Sequence, residues 1–190
     1  MLSEFQERKL TYFFSLLDEN KNGVIQMEDF TEIAVNICEN IGQPINSKYH
    51  RFLNSKSCYV FEKLLGDISP NGNVISLAEW LVFFDREIIE SGDKERLNQY
   101  VNLIIGFLFD LFDENDDGYI SIEEYTDMFL VYGIDIRFSA KSFVNMDLNG
   151  DNRLSKAEIT KAIITFLISD DQSDKGNWVF GNWNMIQEMA

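Results

Sequence analysis

DENDDGYISIEE (113–124) sets out oxygen-bearing side chains at fixed intervals. Asp113, Asn115 and Asp117 stand at positions 1, 3 and 5 of a twelve-residue loop, and Glu124 closes it at position 12. Gly118 at position 6 supplies the left-handed turn that bends a chain around a centre. Tyr119 offers its backbone carbonyl at position 7, and Ser121 a water-mediated contact at position 9. Oxygens at this spacing wrap one hard cation, and both carboxylate oxygens of Glu124 complete its sphere. Ile120 at position 8 is placed to make a short β-contact with a second loop.

The spacing is that of the EF-hand calcium loop, and it occurs three times. In DLNGDNRLSKAE (147–158) the donors are Asp147, Asn149, Asp151, the carbonyl of Arg153, Ser155 and Glu158. Asn152 replaces glycine at position 6, and Asn is the residue that best tolerates a left-handed backbone after glycine. In DENKNGVIQMED (18–29) they are Asp18, Asn20, Asn22, the carbonyl of Val24, Gln26 and Asp29. Asp29 is one methylene shorter than Glu at the closing position. Its loop is expected to drop toward six-coordination, which favours Mg²⁺ relative to Ca²⁺. The sequence therefore predicts three Ca²⁺ sites, with Mg²⁺ competing chiefly at the first loop.

EF-hands pair across their loop β-contacts, so the first needs a partner. GDISPNGNVISLAEW (66–80) fills that place, with Val74, Ile75 and Ser76 at positions 7 to 9 and Glu79 at position 12. Counting back from Glu79 leaves Ile68, Pro70 and Gly72 where oxygens are required. This hand is expected to pair without binding metal.

Apolar residues at helical spacing flank the loops. They are Leu10, Phe13, Phe14 and Leu17; Phe30, Ile33, Ala34 and Ile37; Ile105, Leu108, Phe109 and Phe112; Tyr125, Met128, Phe129 and Tyr132; and Ile159, Ala162, Ile163 and Phe166. The helix before Asp147 is the least specified, with only Phe143 and Met146 large. The polar insert ENIGQPINSKYHR (39–51) carries helix-breaking Gly42 and Pro44, and His50 within it is expected to be exposed. A short linker near ESGDKE (90–95) divides the chain. The expected organisation is an N-terminal pair over 1–90, a C-terminal pair over 95–169 and a tail over 170–190.

The 190 residues carry a formal charge of −16, which disfavours nucleic acid and anionic membrane as partners. The three loops hold eight ligand carboxylates, which account for part of that charge. Sixteen Phe and a hydrophobic content of 45% are ample for a core. Cys38 and Cys58 give no disulfide framework and suit a reducing cytosol. No segment has the length of a transmembrane helix, and Leu2 after Met1 lacks the glycine that N-myristoylation needs. One His, no arguable Cys–His or Ser–His arrangement and no glycine-rich phosphate loop leave nothing to carry catalysis.

LSEFQERKL at the start, NGVI of the first loop, VYGI (131–134) and ISDDQSDKGNWVFG (168–181) resemble the sarcoplasmic calcium-binding protein family, and within it the calexcitins. Calexcitins tend to lose metal at the fourth hand, whereas here the second is broken. The resemblance implies an all-α fold of four EF-hands in two paired lobes, a cytoplasmic location and work as a calcium buffer or signalling relay.

GNWVFGNWNM (176–185) puts Trp178, Phe180 and Trp183 in reach of the groove between lobes, where a packed tail would occupy the surface a sensor offers its target. Six Met against sixteen Phe argue for fixed packing rather than an adaptable groove. The leading expectation is a monomeric Ca²⁺/Mg²⁺ buffer. A calexcitin-like sensor with one dedicated, unknown protein partner is the alternative, and a luciferin-binding carrier a more distant one. Trp80, at the first apolar position after Glu79, is expected in the core.

Overall fold

The computed structural model describes residues 1–182. Among the described residues eight α-helices flank four loops in pairs: α1 Glu4–Leu17, α2 Met27–Asn40, α3 Lys48–Ile68, α4 Leu77–Phe83, α5 Lys94–Phe112, α6 Ile122–Val131, α7 Ser139–Met146 and α8 Lys156–Ile168. Each loop contributes one two-residue strand. β1 (Val24–Ile25) pairs antiparallel with β2 (Ile75–Ser76), and β3 (Tyr119–Ile120) with β4 (Leu154–Ser155). Ile25 faces Ile75 and Ile120 faces Leu154, so the loops meet position 8 to position 8. All four of these side chains are buried, and they pin each pair of hands to the hydrophobic core beneath it. The fold is all-α, four EF-hands joined as two pairs.

The helices start where their sequences provide caps. Ser76, Ser121 and Ser155 at position 9 each accept from the backbone N–H at position 12, and the position 12 side chain reaches back to the cap. This reciprocal box satisfies two N–H groups that a helix start leaves open. One carboxylate thus serves both the helix and the loop.

The predicted apolar stripes are buried in all five helices, apart from Tyr132, which is half-buried. Trp80 is buried as expected, its indole N–H donating to the Leu10 carbonyl at 3.0 Å. Aromatic contacts run from one pair of hands to the other. Phe30 stacks on Phe107 at 5.9 Å, Phe83 meets Tyr100 edge-on at 5.0 Å, and Phe13 meets Phe166 at 6.1 Å. Where Phe13, Phe30, Trp80, Phe107, Tyr132 and Phe180 face one another, a cavity of about 40 Å³ remains. That is on the order of one water molecule's share of volume.

Several expectations need correction. The insert 39–51 is not a polar loop throughout: α2 runs to Asn40 and α3 begins at Lys48 behind its Ser47 cap, leaving 41–47. The extra length between the first two hands is a 21-residue helix. His50 lies on that helix and is half-buried, with both ring nitrogens shielded. After α4 the chain continues as a seven-residue π-helix, Phe84–Glu90, before a break at 91–93. α7 is only eight residues long and is led in by a 3-10 turn, Ile136–Phe138, in keeping with its sparse apolar face.

The tail folds back as expected, but of the three aromatics expected there, Trp178, Phe180 and Trp183, only Phe180 is buried among the described residues. Phe180 is buried, stacked on Phe13 at 5.0 Å and edge-on to Phe166 at 5.2 Å. Trp178 is half-buried instead, with the Lys141 ammonium 4.3 Å from its ring. An indole beside a cation keeps its ring attraction while staying wet, so it has less to gain from the core. Trp183 lies outside the described residues. Among the described residues no helix is long and apolar enough to cross a membrane.

Candidate metal centres

Three loops share one backbone signature. Positions 4 and 6 are left-handed in each: Lys21 (φ 55°) and Gly23 (87°), Asp116 (56°) and Gly118 (80°), Gly150 (74°) and Asn152 (62°). Asn152 adopts the conformation its chemistry allows. No residue of the second loop has positive φ.

In the same three loops the position 1 carboxylate gathers N–H groups in one pattern. Asp18 accepts from Asn22 at 3.1 Å and Gly23 at 2.9 Å. Asp113 accepts from Asp117 at 3.1 Å and Gly118 at 3.0 Å. Asp147 accepts from Gly150 at 2.8 Å, Asp151 at 3.2 Å and Asn152 at 3.0 Å. Position 3 repeats the theme, with Asn20, Asn115 and Asn149 each accepting from the N–H two residues on. Asp117 at position 5 accepts from Tyr119, and Asp151 from Arg153. These bonds hold oxygens on the inner side of the turn, where the donor set is hard oxygen of the kind Ca²⁺ and Mg²⁺ take. Among the described residues no three Asp, Glu, His or Cys groups have drawn together into a ready cluster. The loop carboxylates rest on loop N–H groups, and the fit to a cation rests on the donor chemistry and the repeated turn.

The closing residue separates the hands. Glu124 spans its loop, accepting from the Glu114 N–H at 3.0 Å with one oxygen and from Ser121 at 2.8 Å with the other. Glu158 does the same with Leu148 and Ser155, both at 2.9 Å. Desolvation pushes the Glu158 carboxyl up, but hydrogen bonds from Ser155, Leu148 and Asn149 outweigh it, and its pKa falls below the usual value. Asp29 is shorter and does not reach position 2. Asn20 comes to it instead, giving its side-chain amide at 2.7 Å. Asp29 is buried, and desolvation raises its pKa despite bonds from Gln26 and Asn20.

The second loop has closed on itself. Glu79 accepts from the Ser69 hydroxyl at 2.8 Å with one oxygen and from the Ser76 N–H at 2.9 Å with the other. A β-carbon on Gly72 would stand 2.5 Å from the Ser69 hydroxyl oxygen, so the turn leaves no space for a side-chain donor there. The hydroxyl satisfies the oxygen that an open loop would aim at an ion. The carboxyl sits below its usual pKa, chiefly through the Ser76 hydroxyl.

The EF hand family profile matches residues 105–130 and 140–163, the third and fourth hands. Calerythrin of Saccharopolyspora erythraea is 21% identical over 166 residues, covering 87% of this chain and 94% of calerythrin. Sarcoplasmic calcium-binding proteins I, III and IV of Branchiostoma lanceolatum are 28% identical over 126 residues, covering 65% of this chain and 68% of theirs. The chain carries an EF-hand signature and is similar to calerythrin and to sarcoplasmic calcium-binding proteins.

Solved structures share this fold. The coelenterazine-binding protein of Renilla muelleri, in its calcium-loaded apo form, superposes with a TM-score of 0.77 at 20% identity, covering 95% of this chain and 99% of that one. A sarcoplasmic calcium-binding protein from amphioxus gives 0.72 at 22% identity, covering 96% and 99%.

One buried charge escaped the sequence reading. Lys9 is fully buried, with 0% of its surface exposed. Its ammonium donates to the Ser169 carbonyl at 2.7 Å and the Asn177 side-chain oxygen at 2.9 Å, and lies 4.7 Å from the centre of the Phe5 ring. Burial lowers its pKa to about 8, against the pull of Asp174 and Asp170. The signal was present: Phe5, Lys9 and Phe13 recur at helical spacing on one stripe, which puts a cation where the core begins.

Proposed function

We propose that this protein is a Ca²⁺/Mg²⁺ buffer with three metal sites, at the first, third and fourth hands. Asp18, Asn20, Asn22, the Val24 carbonyl and Asp29 hold the first ion. Asp113, Asn115, Asp117, the Tyr119 carbonyl and Glu124 hold another, and Asp147, Asn149, Asp151, the Arg153 carbonyl and Glu158 the last. The supporting observation is the left-handed pair of positions 4 and 6 with a position 1 carboxylate beneath it, present in these three loops and missing from the second.

Buffering is favoured over sensing by the packing. Phe180 is seated in the aromatic core between the two pairs of hands, where a target side chain would have to displace it. The reading takes the chain as a cytoplasmic monomer without catalytic activity, its two cysteines free. A sensor with one dedicated partner is the second reading. It is favoured by a groove of about 640 Å³ between α1, α2 and α6, where Leu130 is half exposed. A luciferin carrier fits less well, because the aromatic interior keeps only about 40 Å³.

The first loop gives the direct test of the Mg²⁺ assignment. Asp29→Glu restores the reach seen for Glu124 and frees the Asn20 amide from the closing carboxylate. Its preference for Ca²⁺ over Mg²⁺ is expected to rise roughly tenfold, since ligand number and site rigidity tune these affinities over decades. Competition titrations of the first site with both ions measure it. An unchanged or lowered preference contradicts the role given to the Asp29 arm.

A further inference from the structure

Ser3 at the N-cap of α1 and, at intervals of three, Gln6, Lys9 and Tyr12 within it each donate to the end of α8 or to the chain that follows it. The Ser3 hydroxyl donates to Asp170. The Gln6 side chain donates to the Ile168 carbonyl at 2.7 Å. Lys9 donates to Ser169 and Asn177, and the Tyr12 hydroxyl to the Phe180 carbonyl at 2.9 Å. Their acceptors lie at the end of α8 or in the segment after it. Carbonyls at a helix C-terminus lack intrahelical partners and carry partial negative charge, so a buried ammonium is well placed there. The segment is braced from within: the Asn177 amide donates to the Asp171 carbonyl at 2.8 Å, and the Ser169 hydroxyl to Asp174. Tyr125 of α6 donates to the Val179 carbonyl at 2.7 Å, which ties the third hand's outgoing helix to the same strap.

The helix held by this ladder ends at Asp18, where the first loop begins. That loop's β-partner is the second hand, whose carboxylate is occupied by Ser69 and Ser76. Across its β-contact the first site therefore faces no second metal. The ladder joins α1 directly to the end of the fourth hand's outgoing helix.

We propose that residues 168–180 are a latch through which metal at the fourth site raises metal affinity at the first. The inference rests on the three-site reading. An ion closing on Glu158 fixes the start of α8, and the end of α8 with its strap then holds α1 in register. Loop 1 meets its ion with less left to order, which is positive coupling by shared ordering. Lys9, shielded from water and bonded to both α8 and the strap, is the positioning residue at its centre.

The test follows the amides of Gly23, Gly118 and Asn152, which hydrogen-bond to the position 1 carboxylates and so report each loop separately. They are monitored by ¹⁵N–¹H NMR during Ca²⁺ titration of the full chain. In the parent protein Glu158→Gln is expected to raise the Gly23 midpoint about fivefold, the lower end of typical allosteric coupling. In the Lys9→Met background the same change is expected to leave that midpoint within about twofold, the decoupling that removal of a linking element gives. Tyr12→Phe, which removes one hydroxyl without touching the buried ammonium, is expected to fall between; it carries the test if Lys9→Met does not fold. An effect of Glu158→Gln on Gly23 that is absent, or the same in every background, overturns the latch and leaves three-site binding standing. A Gly23 amide that never responds to Ca²⁺ or Mg²⁺ overturns the first site and the latch together.

Discussion

Glu124→Gln is expected to weaken Ca²⁺ binding sharply at the third hand and to weaken the fourth. Gln at the third helical position still accepts from the Ser121 N–H, so the capping box and α6 persist. What is lost is the second carboxylate oxygen, now directed to Glu114, and the charge. Losing one member of a charged contact costs about 3 kcal/mol, or roughly hundredfold in Kd. The fourth site feels the change through Ile120 and Leu154, which face each other across β3 and β4. A severalfold weakening is expected there, within the usual range of coupling between linked sites. Site-resolved titration of the variant measures both. A fourth site indifferent to the change would contradict pairing as the route of cooperation.

The second large effect concerns stability. Phe180→Ala removes a ring stacked on Phe13 and set edge-on to Phe166, next to a cavity that already exists. Truncating a buried Phe costs about 3–5 kcal/mol. In a chain of this size that lowers the metal-free Tm by roughly 10 °C. Trp178→Ala is the control, since that ring is half-buried beside Lys141. Its loss is expected to cost about 1 kcal/mol, the scale of an exposed cation–π contact. Equal effects of the two changes would contradict the division of the tail into a buried anchor and a wet neighbour.

Much of this was legible in the sequence because the loop chemistry is local. Oxygen spacing, the glycines at position 6 and the stripes at 3.6-residue period each lie within about a dozen residues, and each signal has one cheap structural solution. The departure of the second loop from the shared turn was visible too, in Ile68, Pro70 and Gly72. What replaced it was not: the Ser69 hydroxyl closing on Glu79 depends on a turn geometry that composition does not encode. The insert was misread for a similar reason. Polar residues and Gly42 and Pro44 announce a break but not its length, and Ser47 as a cap restarts the helix earlier than expected. Lys9 and the strap are long-range facts. A lysine on an apolar stripe can reach solvent by extending its stem, and only the C-terminal carbonyls arriving from residues 165–177 explain why this one stays buried.

Calorimetric titration of the metal-free protein with Ca²⁺, alone and in millimolar Mg²⁺, tests the central claim most directly. Three ions per chain are expected, with Kd values on the order of 10⁻⁸ to 10⁻⁷ M that weaken when Mg²⁺ is present. Two ions or four would contradict the division of the hands, and three sites near about 10⁻⁶ M that ignore Mg²⁺ would make the protein a sensor rather than a buffer.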